Sequence, residues 1–241
     1  MERVIRIVSR ESELAMVQAR YVQGLIGGEI VGVSSEGDQD LTSPLYTLPG
    51  IGVFVKRLEI ELLASRGNVA AHCLKDMPTS TTPGLTIAAI LPFNTHRNDV
   101  ALLNPPYTTL DSLPNGSKIG TSSLRRISTI NHLFRDKEFS FLNIRGNLNT
   151  RLRKLQDGEY DCIILASAGI ERLGWVEKLN FQVLEGERFL YAPGQAALAL
   201  ECREDDEEMK IFLKRFDDEE TRIRCEAERE FMKELEGVKY K

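Results

Sequence analysis

No stretch of this chain carries the roughly 18 consecutive apolar residues that a membrane-spanning helix needs, and the N-terminal MERVIRIVSR lacks the apolar core of a signal peptide. Neither membrane insertion nor export is expected, so the chain reads as cytoplasmic. Cysteine is sparse. Cys73, Cys162, Cys202 and Cys225 stand far apart, form no CxxC pair and mostly lie in apolar stretches, which suits reduced structural thiols better than disulfides or zinc. No GxxxxGK[ST] or GxGxxG loop occurs, which disfavours a nucleotide ligand. His72, His96 and His132 are scattered; each reads as a satisfied or surface histidine, and no metal site or Ser/His/Asp set is assembled from them. Internal repeats and low-complexity segments are not evident.

What is present is an ordinary core-forming composition: 241 residues, 42% hydrophobic and 28% charged, enough for one large domain or two small ones. Thirty-six acidic against 31 basic residues leave a formal charge of −5, so the molecule as a whole should not attract nucleic acid. The distribution is uneven. Residues 118–154 are strongly basic, whereas the stretch from Arg203 to Glu230 is acid-rich.

Strand and helix patterns alternate twice. Residues 4–9 read as a strand, 12–26 as a helix started by Ser12 and stopped by Gly27-Gly28, EIVGVSS as a strand, 53–65 as a helix, and VAAHCL and LTIAAIL as strands. After a hinge-like PFNTHRND the pattern restarts with strands DVALL and KIGTSS, a helix near 124–134, strand FSFLNI, a helix at 148–156, and the unbroken apolar YDCIILA of a strand covered on both faces. A Pro193-Gly194 turn leads to strand QAALALEC and two charged helices, at about 205–216 and 218–236. The fold class expected is α/β, with two mixed-sheet domains and a cleft between them, a common setting for ligand sites.

Three stretches could seat anions. IGTSSLRR (119–126) is a strand, a hydroxyl-rich turn and a helix start, where backbone N–H groups, the hydroxyls of Thr121, Ser122 and Ser123, and the forks of Arg125 and Arg126 suit carboxylate or phosphate. IRGNLNTRLRKL (144–155) repeats the plan with Arg145, Gly146 and Arg151, and SRES (9–12) offers Arg10 and Ser12. A single helix arginine is usually just a solvated face; three such turns together point to a ligand with several negative charges, bound at the strand ends where open α/β sheets bind ligands. In AAHCLKDMPTST (70–81), Lys75 and Asp76 end a buried strand. Two readings stand: the pair caps the strand at the surface, or Asp76 is a fixed anion that hydrogen-bonds a substrate N–H, stabilises a developing cation and shuttles a proton.

The ordered motifs RIVSRESELAMVQA, GVFVKRLEIELL, AAHCLKDMPT, IGTSSLRR, IRGNLNTRL, GEYDCIILASAGIERLG, APGQAALALECR and TRIRCEAEREFMKELEG cover nearly the whole chain. It resembles the porphobilinogen deaminase (hydroxymethylbilane synthase) family of tetrapyrrole and haem biosynthesis. That resemblance implies two domains of type II periplasmic-binding-protein topology: domain 1 from 1–93 and 196–216, domain 2 from 97–192, and 217–241 as the remnant first helix of a truncated or missing third domain. It implies a transferase that joins four porphobilinogen molecules head to tail with loss of ammonia, on a dipyrromethane primer attached to a cysteine. By motif, Asp76 matches the catalytic aspartate. Arg10, Ser12, Lys56, Lys75, Thr121, Ser122, Ser123, Arg125, Arg126, Arg145, Gly146, Arg151 and Arg172 match groups that hold the acetate and propionate side chains, with Gln195 close by.

The sequence also departs from the family. Gly50-Ile51-Gly52 lacks a lysine found between two glycines, and Thr42 replaces an acid. In the family a glycine-rich loop with the primer cysteine follows the match to residue 237, where this sequence reads Val238-Lys239-Tyr240-Lys241; none of the four cysteines occupies that loop, so the attachment cysteine is expected to be absent from this chain. Three expectations follow: an enzyme whose third domain comes from a separate polypeptide or has been lost, a non-catalytic polycarboxylate clamp, or an enzyme holding its primer without a covalent bond. The isolated chain is expected to lack a covalent primer and to be inactive or feeble.

Overall fold

A computed structural model describes residues 4–34 and 55–237. Gly50, Ile51, Gly52, Thr42 and the tail after Gly237 lie outside the described residues, as does the start of the helix expected at 53–65. In chain order the first unit opens with β1 (Arg6–Arg10), α1 (Glu13–Ile26), β2 (Glu29–Val33), α2 (Lys56–Leu63), β3 (Val69–Cys73) and β4 (Leu85–Ile90). The second unit holds β5 (Asp99–Leu103), β6 (Lys118–Gly120), α3 (Leu124–Leu133), β7 (Ser140–Leu142), α4 (Leu148–Gln156), β8 (Cys162–Ala166), α5 (Ser167–Arg172) and β9 (Phe181–Leu184). The chain then returns to the first unit with β10 (Leu198–Arg203), α6 (Glu207–Lys214) and α7 (Glu219–Gly237).

Each unit is built on a five-stranded mixed sheet of the same plan. The first runs β2-β1-β3-β10-β4 and the second β7-β6-β8-β5-β9. Three strands are parallel neighbours (β2, β1, β3; β7, β6, β8), and the fourth strand in each order runs antiparallel to both of its neighbours. Helices cover both faces, so strands such as DVALL, with every residue buried, and CIILA, buried over its first four, are continuous apolar runs rather than alternations. In the first unit Ile7, Val69 and Leu200 pack with Val22 of α1 and Met209 and Leu213 of α6, while Val8, Ala70, Leu58 and Leu62 fill the α2 side. In the second, Ile119 and Ile164 meet Ile130 of α3, and Ile163 and Leu165 meet Leu155 and Ile170.

Several boundaries differ from the pattern reading for local reasons. KIGTSS stops being a strand at Gly120: the Thr121 amide makes the last ladder bond, to Leu142 O (3.0 Å), and Thr121 Oγ1 then accepts from the Ser123 amide (3.2 Å), turning the chain toward α3. QAALALEC pairs only from Leu198, since Ala196 takes φ +72°. Gly194 at φ +69° and the Gln195 amide on Ala192 O (2.9 Å) make the turn expected at Pro193-Gly194. Helix α7, read from the sequence as the start of a third domain, contributes Cys225 to the first unit's core beside Leu74, Met77, Ile90 and Ala199.

Candidate active site

Parallel strands deliver their C-terminal ends to one edge of each sheet, and that edge is where the sequence placed its chemistry. In the first unit β1 ends at Arg10 and its neighbour β3 runs into a short 3-10 turn, Leu74–Asp76. Ser12 stands before α1 in extended conformation. Its carbonyl receives the Met16 amide (2.9 Å), but its side chain makes no capping bond. The antiparallel β10 begins at this same edge, where the Leu74 amide donates to Ala197 O (3.0 Å) and Lys75 Nζ donates to Gln195 Oε1 (3.2 Å). Arg10, Lys75, Asp76 and the wholly buried Gln195 are thus gathered at one sheet edge, and Lys56 opens α2, exposed. Under this edge His72 and Glu201, both buried, pair through Nε2 and Oε2 at 2.9 Å. Burial, and then the Glu201 charge, push the nearby Glu59 carboxyl above its ordinary range.

The second unit gathers Thr121, Ser122, Ser123, Arg125, Arg126, Arg145, Gly146, Arg151 and Arg172 on or just beyond the corresponding edge, after β6, β7 and β8. Ser122 Oγ bonds Asn143 Oδ1, donates to Ile144 O (2.8 Å) and accepts the Ile144 amide (3.1 Å), so it ties the two anion turns together. Ser123 caps α3 by accepting the Arg126 amide (3.4 Å), and Asn147 caps α4 by accepting the Thr150 amide (2.9 Å). Gly146 sits at φ +103°, and a Cβ there would lie 2.7 Å from Thr150 Cγ2; only glycine fits that turn. Arg151 Nε donates to Gly146 O (2.8 Å), which fixes the arginine against the turn. Arg145 is buried.

The arginine pair has a partner that sequence reasoning missed. Asp99, fully buried at the head of β5, accepts from Arg126 Nη2 and from Arg125 Nη2, each at 2.6 Å. Arg126 Nη1 also donates to Ile164 O (2.8 Å), and Arg125 Nη1 bonds Leu190 O. Burial alone would raise the Asp99 carboxyl, but the Arg126 and then the Arg125 guanidinium outweigh it and hold the pKa at about 2. Burial lowers the Arg125 pKa in turn. The signal for Asp99 was in the sequence: an acid opening an all-apolar strand needs a cation, and two adjacent arginines lay 26 and 27 positions on. Burial pushes the Cys162 thiol up strongly and, with Asp206 adding, that of Cys202 up to about 11, so both are structural thiols.

Comparison with known proteins adds three findings. Residues 5–211 match the family model described as "Porphobilinogen deaminase, dipyromethane cofactor binding domain". The chain is 42% identical over 247 residues to the porphobilinogen deaminase of Nostoc sp., covering 98% of this chain and 74% of the relative. It is 40% identical over 245 residues to that of Parasynechococcus marenigrum, covering 97% and 75%. The fold is that of type II periplasmic-binding-protein-like domains: a Bacillus subtilis lipoprotein matches with TM-score 0.52 at 12% identity over 91% of this chain and 92% of that one. The Bordetella pertussis BvgS VFT2 domain matches with TM-score 0.50 at 12% identity over 93% of both.

Proposed function

The chain belongs to the porphobilinogen deaminase family and its function is the family's, hydroxymethylbilane synthesis in the tetrapyrrole pathway; on that premise we propose how its residues divide the reaction. Porphobilinogen carries an acetate, a propionate and an aminomethyl group on a pyrrole. Ammonia leaves from the aminomethyl carbon, the cation that remains is shared with the pyrrole nitrogen, and the next pyrrole carbon attacks it and then sheds its proton. A carboxylate beside the pyrrole N–H accepts its hydrogen bond, gains strength as positive charge develops, and relays the proton that must leave. Asp76 takes this role. The observation that supports it is the shared edge: Asp76 and Arg10 leave adjacent parallel strands, with Lys75 bonded to Gln195 next to them.

Arg10, Ser12, Lys56 and Lys75 hold carboxylate side chains from the first unit. Thr121, Ser122, Ser123, Arg125, Arg126, Arg145, Gly146, Arg151 and Arg172 do so from the second, with Asp99 holding Arg125 and Arg126 in place. The donors of each unit fit the acetates and propionates of dipyrromethane, which need guanidinium forks, hydroxyls and helix-start amides. When bound, dipyrromethane supplies the pyrrole carbon to which the first porphobilinogen is joined. The non-catalytic clamp is not favoured by the chain's relatives. A further reading concerns α7, on which the apolar side chains of Ile223, Phe231 and Leu235 are exposed. We propose that the family's C-terminal residues cover them, in the same chain or supplied by another.

Replacing Asp76 by Ala in the holoenzyme tests the assignment. Porphobilinogen turnover is expected to fall by about 100-fold or more while calorimetric binding of porphobilinogen stays within a few-fold; an unchanged rate removes Asp76 from the reaction.

A further inference from the structure

Adjacent residues on α7 reach the two loops that carry Asp76 and Gln195. Arg229 Nη2 donates to Pro78 O (2.6 Å) and Thr79 O (3.3 Å), and Nη1 to Met77 O (3.4 Å). These are the three carbonyls that directly follow Asp76. They lie outside the sheet, between β3 and β4, so no strand neighbour satisfies them. One position earlier, Glu228 Oε2 accepts the amide of Gly194 (2.8 Å), the residue before Gln195. The two loops also touch each other through Leu74–Ala197 and Lys75–Gln195.

The helix that carries this pair is itself pinned. Cys225 is buried among Leu74, Met77 and Ala199. Arg222 bonds Asp217 (2.7 Å) and Ala88 O (3.4 Å), and the Ile90 amide donates to Asp217 (2.7 Å). A fixed helix with a planar, permanently charged fork on one loop and a carboxylate on the other keeps the two loops in register. We propose that Glu228 and Arg229 are positioning residues for the reaction: they touch no substrate, and they set where Asp76 and Gln195 stand relative to each other. The proposal rests on the role given to Asp76 above.

The test compares Arg229→Leu, Arg229→Lys, Glu228→Leu, Glu228→Gln and Asp76→Ala in the holoenzyme, with porphobilinogen turnover and amide exchange measured together. Arg229→Leu and Glu228→Leu are expected to lower kcat about 10-fold or more while moving KM less than about 3-fold. Glu228→Gln, which keeps an acceptor for Gly194, should restore most of the rate, and Arg229→Lys part of it. Exchange should quicken at residues 77–82 and 194–198 in the Leu variants and stay unchanged in β5 and β8. Wild-type kcat in both Leu variants alongside a dead Asp76→Ala overturns the positioning role and leaves the Asp76 assignment intact. An active Asp76→Ala overturns the assignment and this inference with it. Unchanged loop exchange in folded Leu variants also overturns the inference, whatever the turnover.

Discussion

Replacing Asp99 by Asn keeps the shape at the head of β5 and removes the one charge that Arg125 and Arg126 share there. The carboxylate is fully buried, 2.6 Å from each guanidinium, and Arg126 is itself only 9% exposed. Proton linkage sets the scale of the loss. A carboxyl held at about 2 instead of its ordinary 3.8 is stabilised by about 2 kcal/mol in its charged form. Removing one partner from a buried ion pair costs about 3–5 kcal/mol, because the remaining charge stays buried without compensation. A chain of two units need not unfold in one step, so the assay is native-state amide exchange at β5 and β8, where opening of the second unit is read directly. Exchange there should quicken by roughly 30-fold to several thousand-fold, the equivalent of about 2–5 kcal/mol. The pH dependence has a definite sign. A depressed folded pKa gives stability that is present above the unfolded value near 4 and is lost as pH falls toward 2; the wild type should therefore weaken locally across that window, and the Asn variant should not. Exchange less than about 5-fold faster, with the wild-type pH slope retained, would refute the account of Asp99 as the neutralising centre of the arginine pair.

Two further outcomes are expected. Gly28→Ala should destabilise the first unit by about 2–4 kcal/mol, because φ is +92° and a Cβ would lie 2.2 Å from Ile5 O, the acceptor of the Glu29 amide; urea denaturation followed in β1 and β2 measures it, and a loss under about 0.5 kcal/mol would contradict the geometry. Iodoacetamide at pH 8 should leave Cys162, Cys202 and Cys225 unmodified in the folded chain, with the half-buried Cys73 the fastest to react, and should modify all four in urea. Rapid labelling of native Cys162 would show that its thiol is not held down by burial.

The elements that periodicity could reach were the long or uniformly apolar ones. YDCIILA announced a doubly covered strand, and α1 carried both its start and its glycine stop. Helix α5 and strand β9 were not legible, since six residues with Gly169 inside make a weak helical pattern and FQVL alternates too briefly to stand out from a loop. At the site, motif order placed the hydroxyl and arginine turns, yet it could not say which guanidinium meets a ligand and which a carboxylate from another strand. Asp99 engages both Arg125 and Arg126, and the pairing with Arg126 spans 27 residues of sequence and a strand that runs the opposite way. The same holds for Arg229 and Glu228, whose partners are backbone groups more than 30 residues away and leave no trace in side-chain spacing.

The antiparallel fourth strand has a consequence for synthesis. In the second unit that strand is β5, made first, and every later strand finds its neighbours within residues 99–184. In the first unit it is β10, and β4 has no other partner in its sheet. As the chain leaves the ribosome, the inserted unit can therefore close while β1 to β4 still wait, half-assembled, for residues 198–203 to emerge. The half that carries Asp76 is begun first and finished last, and any slowing of translation past residue 191 prolongs the interval in which its strand edges stand unpaired and open to mispairing with other chains.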